Sequence, residues 1–133
     1  MIRKEKLPIF VVQEHNSRQH HYDFRLEINN QLISWKIPKG LSDAPNEKHL
    51  ALRTKNTPLH YAEFEGTIPE NEYGAGKIYI RDKGTYVSKL EEKSMREGLE
   101  DGALKFELQG KKFKGAYVMA RIGDQEGEER WII

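Results

Sequence analysis

The sequence predicts a mainly β protein: a small closed or nearly closed β-barrel of short antiparallel strands with one short helix. Three observations support this prediction. Apolar and polar residues alternate over many short segments, which is the period of a β-strand. Only one segment carries the start and stop signals of a helix. The chain has 133 residues and no internal repeat, so we expect a single domain over residues 1–133 with its own core.

The N-terminal half is predicted to form strands joined by turns, after a short arm at residues 1–8. Residues 21–28 alternate without a break, so Phe24 and its apolar neighbours face one way, while Asp23 and its polar neighbours face the other. Asn29-Asn30 is typical of a tight hairpin turn, because asparagine tolerates positive φ. The other strands predicted here span residues 9–13, 32–37, 49–54 and 61–65, with a loop at 41–48.

The C-terminal half carries the single predicted helix, which follows a turn-rich stretch at residues 68–76. Ser94 and Glu97 have the spacing of a capping box, and Gly102 stands where such a helix would end. Short strands are predicted around it at residues 77–81, 84–87, 103–108, 116–121 and 131–133.

Composition and charge exclude several classes of protein and site. There are no cysteines, so any metal must be held by histidine and carboxylate side chains. No apolar run approaches the roughly 20 residues of a membrane helix, and the N-terminus lacks a signal peptide, so we expect a cytoplasmic protein without membrane contact. The net charge of +1 is small for a protein that grips long duplexes. A nucleic-acid partner would therefore be contacted over a short piece, such as an end.

The stretch from His15 to Arg25 carries the candidate chemistry. His21 and Asp23 are two residues apart on a predicted strand, so they point the same way at roughly 6.5–7 Å spacing. His15, on the preceding segment, would supply a third ligand once the chain folds back. Two imidazoles and one carboxylate leave coordination positions open for water and substrate, as a catalytic metal requires. Arg25 follows on the same face, and its planar fork suits a phosphate bound to that metal.

Simpler interpretations of the same residues stay open on spacing alone. His21, Asp23 and Arg25 are equally compatible with the solvated face of an amphipathic strand. His20, His49 and His60 are expected to lie in turns, at the surface or in packing. Lys39 is either a second phosphate contact or an ordinary turn lysine, and Tyr61 and Gln13 are ambiguous between site and core. The aromatic residues Tyr22, Phe24, Trp35 and Phe64 are interpreted as barrel packing rather than as platforms for bases.

Taken together, these segments resemble the 3′-phosphoesterase domain of bacterial and archaeal DNA ligase D. The resemblance extends over about residues 9–133 and keeps the order of its motifs, which makes it far more specific than His-x-Asp alone. The matching stretches are Phe10-Val-Val-Gln-Glu-His15, Arg18, His21-Tyr-Asp-Phe-Arg-Leu-Glu27, Ser34-Trp35, Ile37-Pro-Lys-Gly40, Pro58-Leu59, Tyr61-Ala62, Phe64-Glu65-Gly66, Ile68-Pro-Glu70, Tyr73-Gly-Ala-Gly76, Gly84-Thr85-Tyr86 and the region of Gly115.

The resemblance implies a manganese-dependent enzyme, or one that uses another divalent transition metal, and a role at 3′ ends in repair by end joining. Such enzymes remove a terminal ribonucleoside to leave a 3′-phosphate, and then remove that phosphate to leave a 3′-hydroxyl. Carried over by motif, the metal ligands are His15, His21 and Asp23. The expected phosphate-binding residues are Arg25 and Lys39, with Gln13 and Tyr61 assisting in the same pocket.

Thr57 is the position at which the sequence departs from the resemblance. Many relatives have a phosphate-engaging histidine just before Pro-Leu, where this chain has Thr57. We therefore expect phosphate removal to be weaker or handled differently here. The expected partner is primer–template DNA with a 3′ ribonucleotide or 3′-phosphate, and ligase, polymerase or Ku proteins would be separate chains.

Two other functions fit part of the pattern. Two histidines and one carboxylate also form the iron site of some oxygenases, although in barrel-type oxygenases the second histidine usually lies well downstream of His-x-Asp. A non-catalytic module that binds 3′ ends is the other, and Thr57 makes it conceivable. Oxygen consumption with iron would identify the first, and binding without turnover would identify the second.

Overall fold

The computed structural model describes residues 7–42, 47–72 and 75–133, and these form ten β-strands, one α-helix and one short 3₁₀ helix. Part of the predicted N-terminal arm (residues 1–6), part of the predicted loop (43–46) and Tyr73-Gly74 of the turn-rich stretch lie outside the described residues. The strands are β1 Ile9–Asn16, β2 His21–Ile28, β3 Gln31–Ile37, β4 Leu50–Arg53, β5 Thr57–Pro58, β6 Gly66–Ile68, β7 Gly76–Ser88, β8 Ala103–Gln109, β9 Lys114–Gln125 and β10 Glu128–Ile132. The α-helix α1 is Met95–Asp101 and the 3₁₀ helix is Leu59–Glu63.

Eight of the strands close into an antiparallel barrel, as the sequence predicted. Their order is β1, β2, β3, β4, β10, β9, β8 and β7, and β7 pairs again with β1. The two remaining strands extend this barrel, since β5 pairs with β3 and β6 pairs with the start of β7. Closure leaves no long unpaired edge among the barrel strands, which removes the usual aggregation risk of a sheet.

The barrel interior is a dense apolar core. Alternate residues of β1, β2 and β3 point into it, and Phe24, Trp35 and Trp131 are fully buried there. Aromatic rings dominate this core: Phe24 stacks on Phe106 with 5.9 Å between ring centroids. The predicted inward face of β2 is thus confirmed. The opposite face of β1, β2 and β3 points away from this core.

The opposite face of β1–β3 is also covered, by the segment that runs from β5 to β6. Val11 and Leu32 form a second apolar cluster on this side with Ala62 of the 3₁₀ helix, and Leu59 and Tyr61 pack against it. Covering both faces of β1–β3 means that polar residues on this side are buried rather than solvated. The candidate site lies on this outer face of the barrel.

Two local predictions are confirmed in detail. Asn29 and Asn30 have φ of 53° and 65°, the left-handed pair that a tight hairpin between β2 and β3 requires. The Ser94 hydroxyl accepts from the Glu97 backbone N–H, while the Glu97 carboxylate accepts from the Ser94 N–H, which completes the capping box. Gly102 ends the helix with φ of 82°.

The predicted strand at residues 61–65 is wrong, because the chain forms the 3₁₀ helix there and turns back at Phe64. The Gln13 side chain of β1 donates the hydrogen bonds that hold this turn. The alternation of residues from Tyr61 to Glu65 cannot reveal these contacts, because Gln13 lies far away in the sequence. The predicted strands at 77–81 and 84–87 are one strand, β7. A β-bulge between its Ile80 and Asp82 pairings interrupts the apolar pattern but not the ladder.

Several strands are longer than their apolar patterns. β1 continues to Asn16, three residues beyond the predicted end, since it is paired on both sides by β2 and β7. β9 extends from Lys114 to Gln125 around the predicted 116–121. None of the helices in the described ranges has the length and apolar character needed to cross a membrane.

Candidate metal centre

Two histidines face each other on neighbouring strands. His15 lies near the end of β1 and His21 begins β2, and the antiparallel register sets them directly opposite one another. Their ring centroids are 4.8 Å apart, with an angle of 62° between the planes. The bend at residues 17–20 thus brings together two imidazoles that are six positions apart in the sequence.

Asp23 completes a group of three donors. Its Oδ1 lies 3.4 Å from His21 Nε2 and its Oδ2 lies 3.8 Å from His15 Nδ1. One donor atom from each residue lies within 4.8 Å of the other two. The two distances from Asp23 are longer than good hydrogen bonds. They are close to the roughly 3–3.5 Å expected between donors that share one ion at about 2.0–2.2 Å. The three residues could therefore hold a metal ion.

A hydrogen bond to the backbone fixes the orientation of the His21 ring. Its Nδ1 lies 2.8 Å from the Gln19 carbonyl oxygen, so Nδ1–H donates to that carbonyl. The lone pair of the neutral ring is then on Nε2, the nitrogen that lies toward Asp23. A backbone carbonyl behind a ligand histidine is the usual way to set its tautomer and ring direction.

Burial excludes the simpler interpretation of this face as a solvated strand surface. His15, His21, Asp23 and Arg25 are exposed by 7%, 8%, 7% and 6%. A buried carboxylate and a buried guanidinium are expensive unless they are paired or bind an ion. The group is thus a concentrated polar site within the protein.

Arg25 is held next to Asp23 by neighbouring polar side chains. Its Nε donates to Gln13 Oε1 at 2.7 Å and one terminal nitrogen donates to Ser34 Oγ at 2.8 Å. The other terminal nitrogen lies 3.5 Å from Asp23 Oδ2. Burial lowers the pKa of Arg25, and the charge of Asp23 opposes that shift. Because arginine stays protonated in proteins, the site presents a fixed positive charge beside the three donors.

The sequence of this chain matches a known protein family over most of its length. The family model of the DNA ligase D 3′-phosphoesterase domain matches residues 13–121, which include all three donors and Arg25. The chain belongs to this family.

Curated relatives show the same likeness over most of the chain. The multifunctional non-homologous end joining DNA repair protein LigD of Mycobacterium tuberculosis is 42% identical over 123 residues, 92% of this chain. The corresponding LigD proteins of Pseudomonas aeruginosa and Mycolicibacterium smegmatis are 40% and 39% identical, over 93% and 83% of this chain. This chain spans only 14–15% of the length of those proteins.

Gln13 lies behind Arg25 in this phosphoesterase-family domain and is fully buried. Its Nε2 donates to the carbonyl oxygens of Tyr61 and Phe64, at 3.0 and 3.1 Å, while its Oε1 accepts from Arg25. Both amide hydrogens and the acceptor are therefore used within the protein. Gln13 therefore connects Arg25 to the backbone of the 3₁₀ turn.

Tyr61 and Thr57 flank the Arg25 guanidinium. The guanidinium carbon lies 4.7 Å from the centroid of the Tyr61 ring, a cation–π contact. Thr57 Oγ1 lies 3.5 Å from the Arg25 terminal nitrogen that also contacts Ser34, because β5 pairs with β3 at this point. Burial raises the pKa of Tyr61, so its hydroxyl stays protonated and can act as a hydrogen-bond donor.

Lys39 is exposed in the turn that follows β3, at the end of the sheet where His21 begins β2. The turn is closed by a hydrogen bond from Gly40 N to Ile37 O. His49 lies against the same turn and contacts the Gly40 carbonyl, whereas His20 contacts Glu14 and His60 is exposed.

Two residues near the site carried no functional expectation in the sequence. Ser34 is fully buried and fixes Arg25, which only the β2–β3 register reveals, since it pairs Arg25 with Ser34. Phe64 was interpreted as barrel packing, but it is half-buried and its ring stacks on Tyr61 outside the barrel. The sequence signal for Ser34 was that a polar residue stands between the apolar Ile33 and Trp35.

Proposed function

We propose that this chain is a metal-dependent phosphoesterase that processes the 3′ ends of nucleic acids for DNA repair by non-homologous end joining. The observation that carries the proposal is the buried group of His15, His21 and Asp23 with the Arg25 guanidinium 3.5 Å from the shared carboxylate. Membership of the 3′-phosphoesterase family supports the reaction class. The proposed substrates are primer–template DNA ends with a 3′ ribonucleotide or 3′-phosphate.

Manganese, or another divalent transition metal, is the proposed cofactor, because two imidazoles and one carboxylate suit such ions and leave room for substrate. When bound, the metal would polarise the phosphoryl oxygens. Arg25 would bind a phosphate oxygen and stabilise the negative charge that develops during hydrolysis. Gln13 and Ser34 would keep the guanidinium in place, so it would need little reorganisation during the reaction.

Tyr61, Thr57 and Lys39 complete the proposed phosphate pocket. The protonated Tyr61 hydroxyl and the Thr57 hydroxyl would donate hydrogen bonds to the phosphate, while Lys39 would add charge from the turn after β3. Ligase, polymerase and Ku proteins are proposed to act on the same breaks, since the curated relatives are named as multifunctional end joining proteins.

The test is digestion of a labelled primer–template carrying either 3′ end, with Mn²⁺ present. His15→Ala, His21→Ala and Asp23→Ala are each expected to abolish both products. His20→Ala and His60→Ala are the matched controls, since these exposed histidines lie within a few residues of the site, and both should retain activity. Retained activity in any of the first three would remove that residue from the ligand set.

The same assay separates the alternative functions. Wild-type protein that binds 3′-phosphate ends without turnover would establish an end-binding module instead. Iron-dependent oxygen consumption would establish an oxygenase.

Thr57→His tests whether position 57 sets the balance between the two hydrolytic steps. An imidazole beside Arg25 is expected to speed phosphate removal relative to nucleoside removal, because a terminal phosphate carries more negative charge than a diester. An unchanged ratio would show that Thr57 does not set the balance of the two steps.

A further inference from the structure

Phe64 presents an aromatic ring against Tyr61, outside the donor set of the candidate metal centre. Its ring is nearly parallel to that of Tyr61, at 14°, with 5.0 Å between centroids. Tyr61 in turn lies against Arg25, which contacts Asp23. Phe64 is therefore linked to the carboxylate of the site through three successive contacts, with Tyr61 and Arg25 in between.

The exposure of Phe64 sets it apart from the other phenylalanines. The chain has five, and Phe10, Phe24, Phe106 and Phe113 are all buried, three of them completely. Phe64 alone is half-buried. Part of this ring is therefore accessible to a ligand that stacks on aromatic side chains.

The backbone around Phe64 is fixed on both sides. Its N–H donates to the Tyr61 carbonyl and its own carbonyl accepts from Gln13 Nε2, each at 3.1 Å. The next residue, Glu65, accepts a hydrogen bond from the Ile80 N–H at 2.8 Å. The ring is thus presented from an anchored turn, which lowers the entropy lost when a ligand stacks on it.

Gly66 keeps the tip of this ring uncovered. Its φ is +154°, and a Cβ at this position would lie 3.7 Å from Phe64 Cζ, in van der Waals contact. Any larger residue would place its side chain against the ring. The local sequence therefore combines an anchored aromatic residue with a neighbour that leaves it accessible.

We propose that Phe64 is the stacking surface for the base of the 3′-terminal nucleoside that leaves during cleavage. This inference rests on the proposed phosphoesterase function. Tyr61 covers one face of the Phe64 ring, so the other face offers room for one base, and upstream bases are already stacked on one another in the duplex. The terminal nucleoside is the unit that can be splayed out onto an aromatic side chain. Phe64 would then contribute to nucleoside removal and not to removal of a 3′-phosphate, because that step has no departing base.

Three substrates test this assignment with Phe64→Leu, which keeps an apolar side chain and removes the π face. On a 3′-terminal ribonucleotide with its base, kcat/KM is expected to fall about tenfold, the size of one stacking interaction. On the same end with an abasic terminal ribose, and on a 3′-phosphate, kcat/KM should match that of the wild type. Phe64→Tyr should restore the first reaction. Tyr79→Leu, which removes an exposed aromatic ring of β7, is the matched control and should change none of them.

An equal loss on all three substrates would overturn the proposal, since it would make Phe64 a packing residue, and so would no loss on any. A binding measurement separates this inference from the proposed function. With chelator present, the fluorescence of 2-aminopurine at the 3′-terminal position should be quenched by the wild type and less by Phe64→Leu. Equal quenching, or none by the wild type, would overturn the stacking role even if metal-dependent turnover is found. Selective quenching without turnover would retain the stacking contact but reject the proposed esterase, and with it the role of Phe64 in nucleoside removal.

Discussion

Asp23 and Asp82 are both buried carboxylates beside β1, yet their surroundings are opposite. Asp82 is 6% exposed and accepts four backbone hydrogen bonds, from Lys83, Lys111, Lys112 and Phe113, at 2.7–3.1 Å. Asp23 is 7% exposed, and its contacts in the described part of the chain are side chains at 3.4–3.8 Å.

The difference separates a structural carboxylate from one available to a ligand. Four amide donors satisfy the oxygens of Asp82, and the three from Lys111, Lys112 and Phe113 tie down the loop between β8 and β9, so no further ligand is needed there. Asp23 faces two imidazoles and a guanidinium at distances that leave its oxygens incompletely satisfied. Burial and charge are the same for the two residues; only the identity and distance of the partners show which one is suited to bind a cation.

Asp23→Asn is expected to have the largest effect on activity. Loss of the anionic donor should reduce 3′-end cleavage by about 10³-fold or more. The unfolding free energy, measured in urea with chelator, should change by about 1 kcal/mol or less, because Gln13 and Ser34 still hold Arg25. A large loss of stability with activity retained would contradict the assignment of this carboxylate to the site.

Asp82→Asn should show the reverse pattern. The amide places an NH₂ group among backbone donors and removes charge-assisted bonds, so we expect about 3 kcal/mol of destabilisation. Activity per folded molecule should remain at the wild-type level. Asp124→Asn, an exposed position of β9, is the control and should change the unfolding free energy by no more than about 0.5 kcal/mol. If Asp82→Asn and Asp124→Asn had the same unfolding free energy, the four amide contacts of Asp82 would contribute little to stability.

Metal binding sharpens the same contrast. Adding Mn²⁺ at about 100 times its dissociation constant should stabilise the wild type by about 2.7 kcal/mol, since only the folded chain assembles the three donors. Thermal melts should show the same gain in Asp82→Asn and none in Asp23→Asn. An increase in the melting temperature of Asp23→Asn would show that the ion binds elsewhere.

The barrel could be predicted from the sequence because its strands alternate locally, and the hairpin at Asn29-Asn30 and the helix after Ser94 carry their own signals. His21 and Asp23 could be grouped for the same reason, since a strand places residues two apart on one face. The contacts of Gln13 and Ser34 with Arg25 could not be predicted, because each joins residues of different strands.

The same reason explains the error at residues 61–65. Gln13 holds the Tyr61 and Phe64 carbonyls in a turn, and this contact spans about fifty residues of sequence. The role of Asp82 in holding a loop could not be predicted either. The Lys111, Lys112 and Phe113 amides that donate to it follow β8, about thirty residues later in the sequence.

Glu47 is a third kind of carboxylate, exposed and paired with a histidine, and it should give the smallest effect. His49 lies between two acceptors, the Gly40 carbonyl and the Glu47 carboxylate, and these contacts raise its pKa. The reciprocal contact from His49, together with one from Ser42, lowers the pKa of Glu47. Lys39 lies near both groups and opposes the shift of His49.

The sign of the pH dependence follows from these directions. A raised pKa means that the folded chain binds the proton of His49 more tightly, so its stabilisation is complete below about pH 6.5 and is lost as the pH rises through the raised value. The stabilisation from Glu47 is present above about pH 4.5 and is lost as the pH falls through its lowered value. His49→Gln should therefore flatten the decline of unfolding free energy above pH 6.5 in urea titrations, whereas His60→Gln should leave it unchanged. Parallel curves for the wild type and His49→Gln would show that the pair does not stabilise the turn that carries Lys39.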